Sequence, residues 1–192
     1  MITYLKFTVF GISNPYLLIL LENNRMLLKI LFIILTLLLF NRELILYWKK
    51  FTTKRLLYYS IAPTILLFIL NLFYLFLLSG SFLIESFSFS TFFILSTLII
   101  GPVYEELIYR FILINNEWSF TLKLGAVFLS SLLFAYAHAE VMNGSLSDMI
   151  QFFIMGIVFG LIYIKSNNIL YSMSAHMLYN GLILLLSVIS AY

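Results

Sequence analysis

Long apolar runs separated by short polar breaks repeat along nearly the whole chain. Runs of about 17 to 25 residues are long enough to cross the hydrocarbon of a bilayer as a helix. They lie at about Met26 to Trp48, Leu56 to Leu78, Ser90 to Leu113, Leu122 to Ala139, Asp148 to Lys165 and Ile169 to Ile189. A weaker stretch, Tyr4 to Leu21, is interrupted by Lys6 and by Asn14-Pro15 and shows no small-residue cleavage site, so it reads as retained chain rather than a signal peptide. The pattern predicts an all-α fold, a polytopic transmembrane helical bundle of six or seven spans.

Composition agrees with the bilayer as solvent. Hydrophobic residues make up 63% of the chain and charged ones 10%, with a mean hydropathy of +1.07; soluble domains run at roughly 45–50% and 25%. A surface this apolar would aggregate in water, so the Leu, Ile and Phe side chains face lipid or one another. Cysteine is absent, which removes disulfides, thiolate nucleophiles and sulfur-ligated metals. The net charge of +3 is too small and scattered to suggest nucleic acid. Its cations read instead as topology markers, with lipids as the expected surroundings. Lys49, Lys50, Lys54 and Arg55, then Lys123, then Lys165 fall in alternate loops, which the positive-inside rule makes cytoplasmic; the opposite loops, 79–89 and 140–147, carry no Lys or Arg. Arg25 and Lys29 do not fit this scheme.

Nearly all the polar residues at membrane depth follow Gly101, which suggests an unassigned N-terminal part, 1–89, and a chemically distinct part, 90–192. A charged side chain within a span costs about 2.5–3.5 kcal/mol on insertion scales, so each calls for a partner or a water-filled cavity. In Glu105-Glu106-Leu-Ile-Tyr-Arg110, Glu106 and Arg110 share a helical face as an ion pair, while Glu105 points about 100° away and stays free. A free carboxylate in such a site suits a general base; a membrane-edge ion pair is the simpler alternative. His138 closes the Phe134 to His138 segment, where an interfacial role is the plain reading. His176 and Asn180 lie four residues apart on the last helix, with Ser172 a turn earlier, a stripe that helix-to-helix hydrogen bonding also explains. Gly156 and Gly160 have small-xxx-small spacing, expected to pack the fifth and sixth strong spans together.

Taken together, Glu105-Glu106-x-x-x-Arg110, Phe134-x-x-x-His138 and His176-x-x-x-Asn180 resemble the CPBP intramembrane proteases, which include CAAX prenyl endopeptidases and bacteriocin-processing or immunity (Abi-type) proteins. Phe153, Gly156 and Gly160 add a weaker likeness. The resemblance covers about Ser90 to Ile189. It implies that Glu105 is the general base and His138 helps hold the water, that His176 and Asn180 donate to the oxyanion, and that Glu106 with Arg110 fixes the Glu105 rotamer. The same Glu105, His138 and His176 also form a plausible zinc set with an open position for water, although His-Glu-x-x-His is lacking; zinc and a metal-free glutamate mechanism both stand.

The expected substrate is a membrane-associated peptide or protein, such as a bacteriocin leader or signalling peptide. The Ile/Leu/Asn/Phe-rich usage points to a bacterial cell membrane. Two rivals are a non-catalytic immunity or scaffold protein, which would tolerate Gln at position 105, and a small proton-coupled carrier, which the lack of an inverted repeat disfavours.

Overall fold

The computed structural model describes residues 24–79, 91–139 and 146–190. The weak stretch Tyr4 to Leu21 lies outside them, as do most of the two loops without cations. Among the described residues the chain forms seven helices and no strand. We number them α1 (Arg25–Leu39), α2 (Asn41–Lys50), α3 (53–79), α4 (91–112), α5 (Phe120–Ala137), α6 (Leu146–Ser166) and α7 (Ile169–Ser190). Helices α3, α5, α6 and α7 are long and apolar enough to cross a membrane, and α1 with α2 makes a fifth if the pair counts as one broken span. The chain is a multi-pass helical membrane protein, and Leu66, Ile69, Phe73, Phe128, Leu129 and Leu132 belong to its exposed apolar belt.

One expected span is broken. Met26 to Trp48 bends by 86° between α1 and α2. The run Asn41-Arg42-Glu43 supplies the reason, because a straight helix would carry it through hydrocarbon. At the corner Phe40 leaves helical geometry (ψ 29°) and its ring meets Phe111 edge-on at 5.2 Å. Helix α2 therefore lies across the end of the bundle, with Tyr47 turned inward against Phe111 and Tyr163.

Two helices contain π-helical turns, and two of the three turns precede a proline. Leu57–Ile61 comes before Pro63 and Ser96–Ile100 before Pro102. Proline has no N–H for the carbonyl four residues back and its ring crowds that oxygen, so the local ladder shifts to wider hydrogen bonds. A further π segment, Leu107–Ile112, ends α4. The six residues Gly101–Glu106 are thus framed by π turns on both sides.

Polar contacts set the mutual register. Helices α3 and α7 run parallel, joined by Ser60 Oγ to the Tyr171 carbonyl (2.7 Å), Thr64 Oγ1 to the Ala175 carbonyl (3.3 Å) and Asn71 Nδ2 to the Tyr179 hydroxyl (2.5 Å); Gln151 of α6 donates to Asn71. The tight turn from α6 to α7 uses Asn167 in the left-handed region (φ 50°), which asparagine tolerates. Asn168 then caps α7 by accepting from the Leu170 N–H at 3.0 Å and ties down α2 by donating to the Tyr47 carbonyl at 2.7 Å.

The glycine pair differs from expectation. Gly156 and Gly160 face α5, the preceding strong span, instead of α7: a Cβ on Gly156 would stand 2.8 Å from Ser131 Cβ, and one on Gly160 2.8 Å from Val127 Cγ1. Two neighbouring antiparallel helices can approach this closely only because one lacks side chains there.

Candidate active site

Three helices and one helix end converge on a shared cavity. The π turn before Gly101 displaces the second half of α4. There the Gly101 N–H bonds to the Ser96 carbonyl, whose oxygen would lie 2.9 Å from a Cβ on residue 101. From the turn that follows, Glu105 reaches a cavity while Glu106, rotated about 100° further on, is wholly buried.

Glu105 meets both histidines. His138 Nε2 and His176 Nε2 each lie 3.8 Å from its Oε2. His138 caps the end of α5, and its Nδ1 lies 2.8 Å from the Phe134 carbonyl. Because a carbonyl only accepts, Nδ1 carries the proton and Nε2 turns a lone pair toward Glu105. His176 Nδ1 lies 2.9 Å from Glu106 Oε1, so the same assignment follows there. Aromatic rings hold both imidazoles: Phe152 stacks on His138 (4.4 Å between centroids), Phe159 stacks on His176 (4.7 Å), and Phe134 touches both.

Beneath these groups lies a closed polar knot. Arg110 Nη1 is 3.1 Å from Glu106 Oε1, and Arg110 Nη2 donates to the Gly156 carbonyl at 3.1 Å. Ser172 Oγ bonds to Glu106 Oε2 at 2.5 Å and to the Phe159 carbonyl at 2.9 Å. The guanidinium packs against the rings of Phe134 and Phe159. Glu106, Arg110 and Ser172 have no exposed surface. The ion pair anticipated from the sequence is present, but it grips His176 rather than Glu105.

Asn180 lines the same cavity. Its Nδ2 donates to the Thr97 carbonyl at 2.9 Å, so that amide stitches α7 to α4 at the cavity wall. Ser172, grouped with His176 and Asn180 from spacing, belongs to the buried knot.

Lys29 is the residue that sequence reasoning left unexplained. It comes from the second turn of α1, lies 3.8 Å from Glu105 Oε1 and sits over the Tyr104 ring at 5.3 Å. The signal was its misfit to the topology rule. Phe152 and Phe159 gave no signal among so many phenylalanines.

The cavity holds about 290 Å³ and is lined by Lys29, Thr97, Glu105, His138, His176 and Asn180, among others. Its remaining wall includes Phe93 near the start of α4 and Ile183 and Leu184 far along α7. It therefore extends from Glu105 toward the end of the bundle opposite Lys54, Lys123 and Lys165, while the buried knot seals the other side. Among the described residues no group of three or more His, Cys, Asp or Glu side chains has the arrangement to hold a metal ion. The ammonium of Lys29 beside Glu105 also opposes a second cation there, so the set weighed for zinc does not fit it.

A family model described as type II CAAX prenyl endopeptidase Rce1-like matches residues 87–182. No curated protein and no solved structure matches the chain.

Proposed function

Because this chain belongs to the Rce1-like family of type II CAAX prenyl endopeptidases, intramembrane enzymes that cleave peptide or protein substrates, we propose that its own reaction is hydrolysis by water activated between Glu105 and His138. The observation that carries this reading is the pair of 3.8 Å separations between Glu105 Oε2 and the Nε2 atoms of His138 and His176. A separation of that size between acceptors is bridged by a molecule that donates to both. Water has two hydrogens. Glu105 takes one and His138 Nε2 the other, which leaves an oxygen lone pair directed at a scissile carbonyl in the cavity.

Glu105 then removes the proton as the carbon–oxygen bond forms, general-base catalysis of a kind that contributes about 10²–10⁴-fold. The carbonyl oxygen becomes an oxyanion. Asn180 Nδ2 carries a second N–H and lines the cavity, which suits it to donate to that oxyanion, while Glu106 holds the His176 ring beside it through Nδ1–H. Asn180 keeps α4 and α7 in register beside that oxygen. Glu105 returns its proton to the leaving amine, and the products are an acid and an amine.

The substrate we put forward is a membrane-associated peptide precursor, such as a leader or signalling peptide of a bacterial cell. An apolar cavity wall of Phe93, Phe152 and Ile183 with a polar floor suits such a segment. Comparative peptidomics of cells carrying the natural chain or Glu105→Gln tests the reading: an uncut precursor should accumulate with Gln at position 105. Identical peptide profiles would leave a scaffold, not a hydrolase. A parallel assay of purified protein with chelator should show undiminished cleavage; loss restored by added Zn²⁺ would reinstate the metal.

A further inference from the structure

A second concave surface lies away from the catalytic cavity, at the cation-rich end of the bundle. A groove of about 390 Å³ runs between α3 and α6, walled by Tyr58, Tyr59, Leu66, Val158, Leu161 and Ile162, with Lys165 at its mouth. A shallower basin formed by Lys54, Arg55 and Leu57 adjoins it and shares Tyr58, Tyr59 and Ala62, so the two are one depression. Lys54 and Arg55 sit in the first turn of α3, and Lys165 is the penultimate residue of α6. These are helix ends, the level of lipid headgroups, whereas Leu66 and Val158 lie deeper in the span.

Charge and polarity in this depression are sorted by depth. All three cations are exposed, and among the described residues none has a carboxylate within ion-pair range. Among the described residues no acid lines either part of the depression. The phenol of Tyr58, 71% exposed, adds a hydrogen-bond donor beside them. Below, the walls are apolar. The groove also has a structural origin: the π turn at Leu57–Ile61 and Pro63 reshape α3 where the basin passes into it.

The geometry points to a binding site for one anionic phospholipid in this depression. Its phosphate is held by Lys54, Arg55 and Lys165, and one acyl chain lies along Leu66, Val158 and Leu161. Charge complementarity selects the headgroup, since three cations with no acid near them among the described residues favour a net negative lipid over a zwitterionic one. The depth ordering selects a lipid over a free anion, because a phosphate without a chain gains nothing from the trough. The site owes nothing to the proteolytic reading and should persist in Glu105→Gln.

Native mass spectrometry of the purified full chain tests it, with palmitoyl-oleoyl phosphatidylglycerol, phosphatidylcholine of the same chains, sn-glycerol 3-phosphate or inorganic phosphate added. The protein should retain one phosphatidylglycerol in preference to the other three. The triple variant Lys54→Gln, Arg55→Gln, Lys165→Gln should lose that affinity by roughly a hundredfold, the size expected when three cations leave an anionic headgroup. A charge-matched variant, Lys49→Gln, Lys50→Gln, Lys123→Gln, should keep it within about twofold. Thermal unfolding of both variants checks that they fold, and Lys165→Gln alone, with a partial loss, serves if the triple variant does not. Equal loss in both triple variants would reduce the effect to diffuse attraction and overturn the site. Equal retention of phosphatidylcholine, or equally tight binding of either soluble phosphate, would do the same.

Discussion

His176 and Glu106 are joined by a 2.9 Å hydrogen bond inside the bundle, with Arg110 3.1 Å from the same carboxylate oxygen. One carboxylate thus neutralises a guanidinium and orients an imidazole, while its neighbour in sequence faces the cavity. Consecutive residues divide the labour because a helix turns about 100° per residue.

Glu105→Gln keeps the shape of the side chain and removes its basicity. Cleavage of the precursor should fall by about 10²–10⁴-fold, with membrane insertion and thermal midpoint unchanged. His138→Ala and His176→Ala should each lose cleavage as well. The check is turnover of the accumulated precursor beside a melting curve in detergent; normal turnover in all three variants would remove the catalytic assignment.

Arg110→Ala should behave differently, lowering yield as well as activity. It leaves the fully buried Glu106 carboxylate without its counter-charge and removes the side-chain donor to the Gly156 carbonyl. Breaking a buried pair in this way costs about 3–5 kcal/mol. Expression level and unfolding temperature should drop together, in contrast to Glu105→Gln.

The glycines separate by what a methyl group would strike. Gly156→Ala drives a Cβ to 2.9 Å from the Ser131 Cα, so α5 must move, at a cost of about 1–3 kcal/mol. Gly160→Ala meets only the Val127 side chain and should cost less. Gly125→Ala has nothing within 4 Å and should be neutral or stabilising by up to about 1 kcal/mol through helix propensity. Unfolding temperatures should rank the three in that order.

Access to the cavity is measurable because the chain has no cysteine. Single cysteines at Thr97 and Ile183 should react with a membrane-impermeant maleimide from one face of sealed vesicles, and a cysteine at Lys54 from the other. Labelling of all three from the same face would contradict the depth of the sealed knot.

The helical membrane class was legible in the apolar runs, as was the inventory of polar groups at membrane depth, Glu105, Glu106, Arg110, His138, His176 and Asn180. A charge in hydrocarbon is expensive, so position alone makes it conspicuous. The bend at Phe40 was hidden, because the apolar side chains on both sides of Asn41-Arg42-Glu43 mimic one uninterrupted span. The partner of Gly156 and Gly160 was hidden too, since small-residue spacing specifies close approach without naming the neighbour.

From sequence alone came the lipid solvent, the helices and the inventory of unusual polar groups, all consequences of transfer energies that act residue by residue. Only the tertiary structure decided that Glu106 serves His176, that Asn180 binds the Thr97 carbonyl, and that Lys29 from the first half of the chain stands beside Glu105. Those facts depend on the rotation and depth of helices remote in sequence. Such relations are set by packing and hydrogen bonds between helices, which no local pattern encodes.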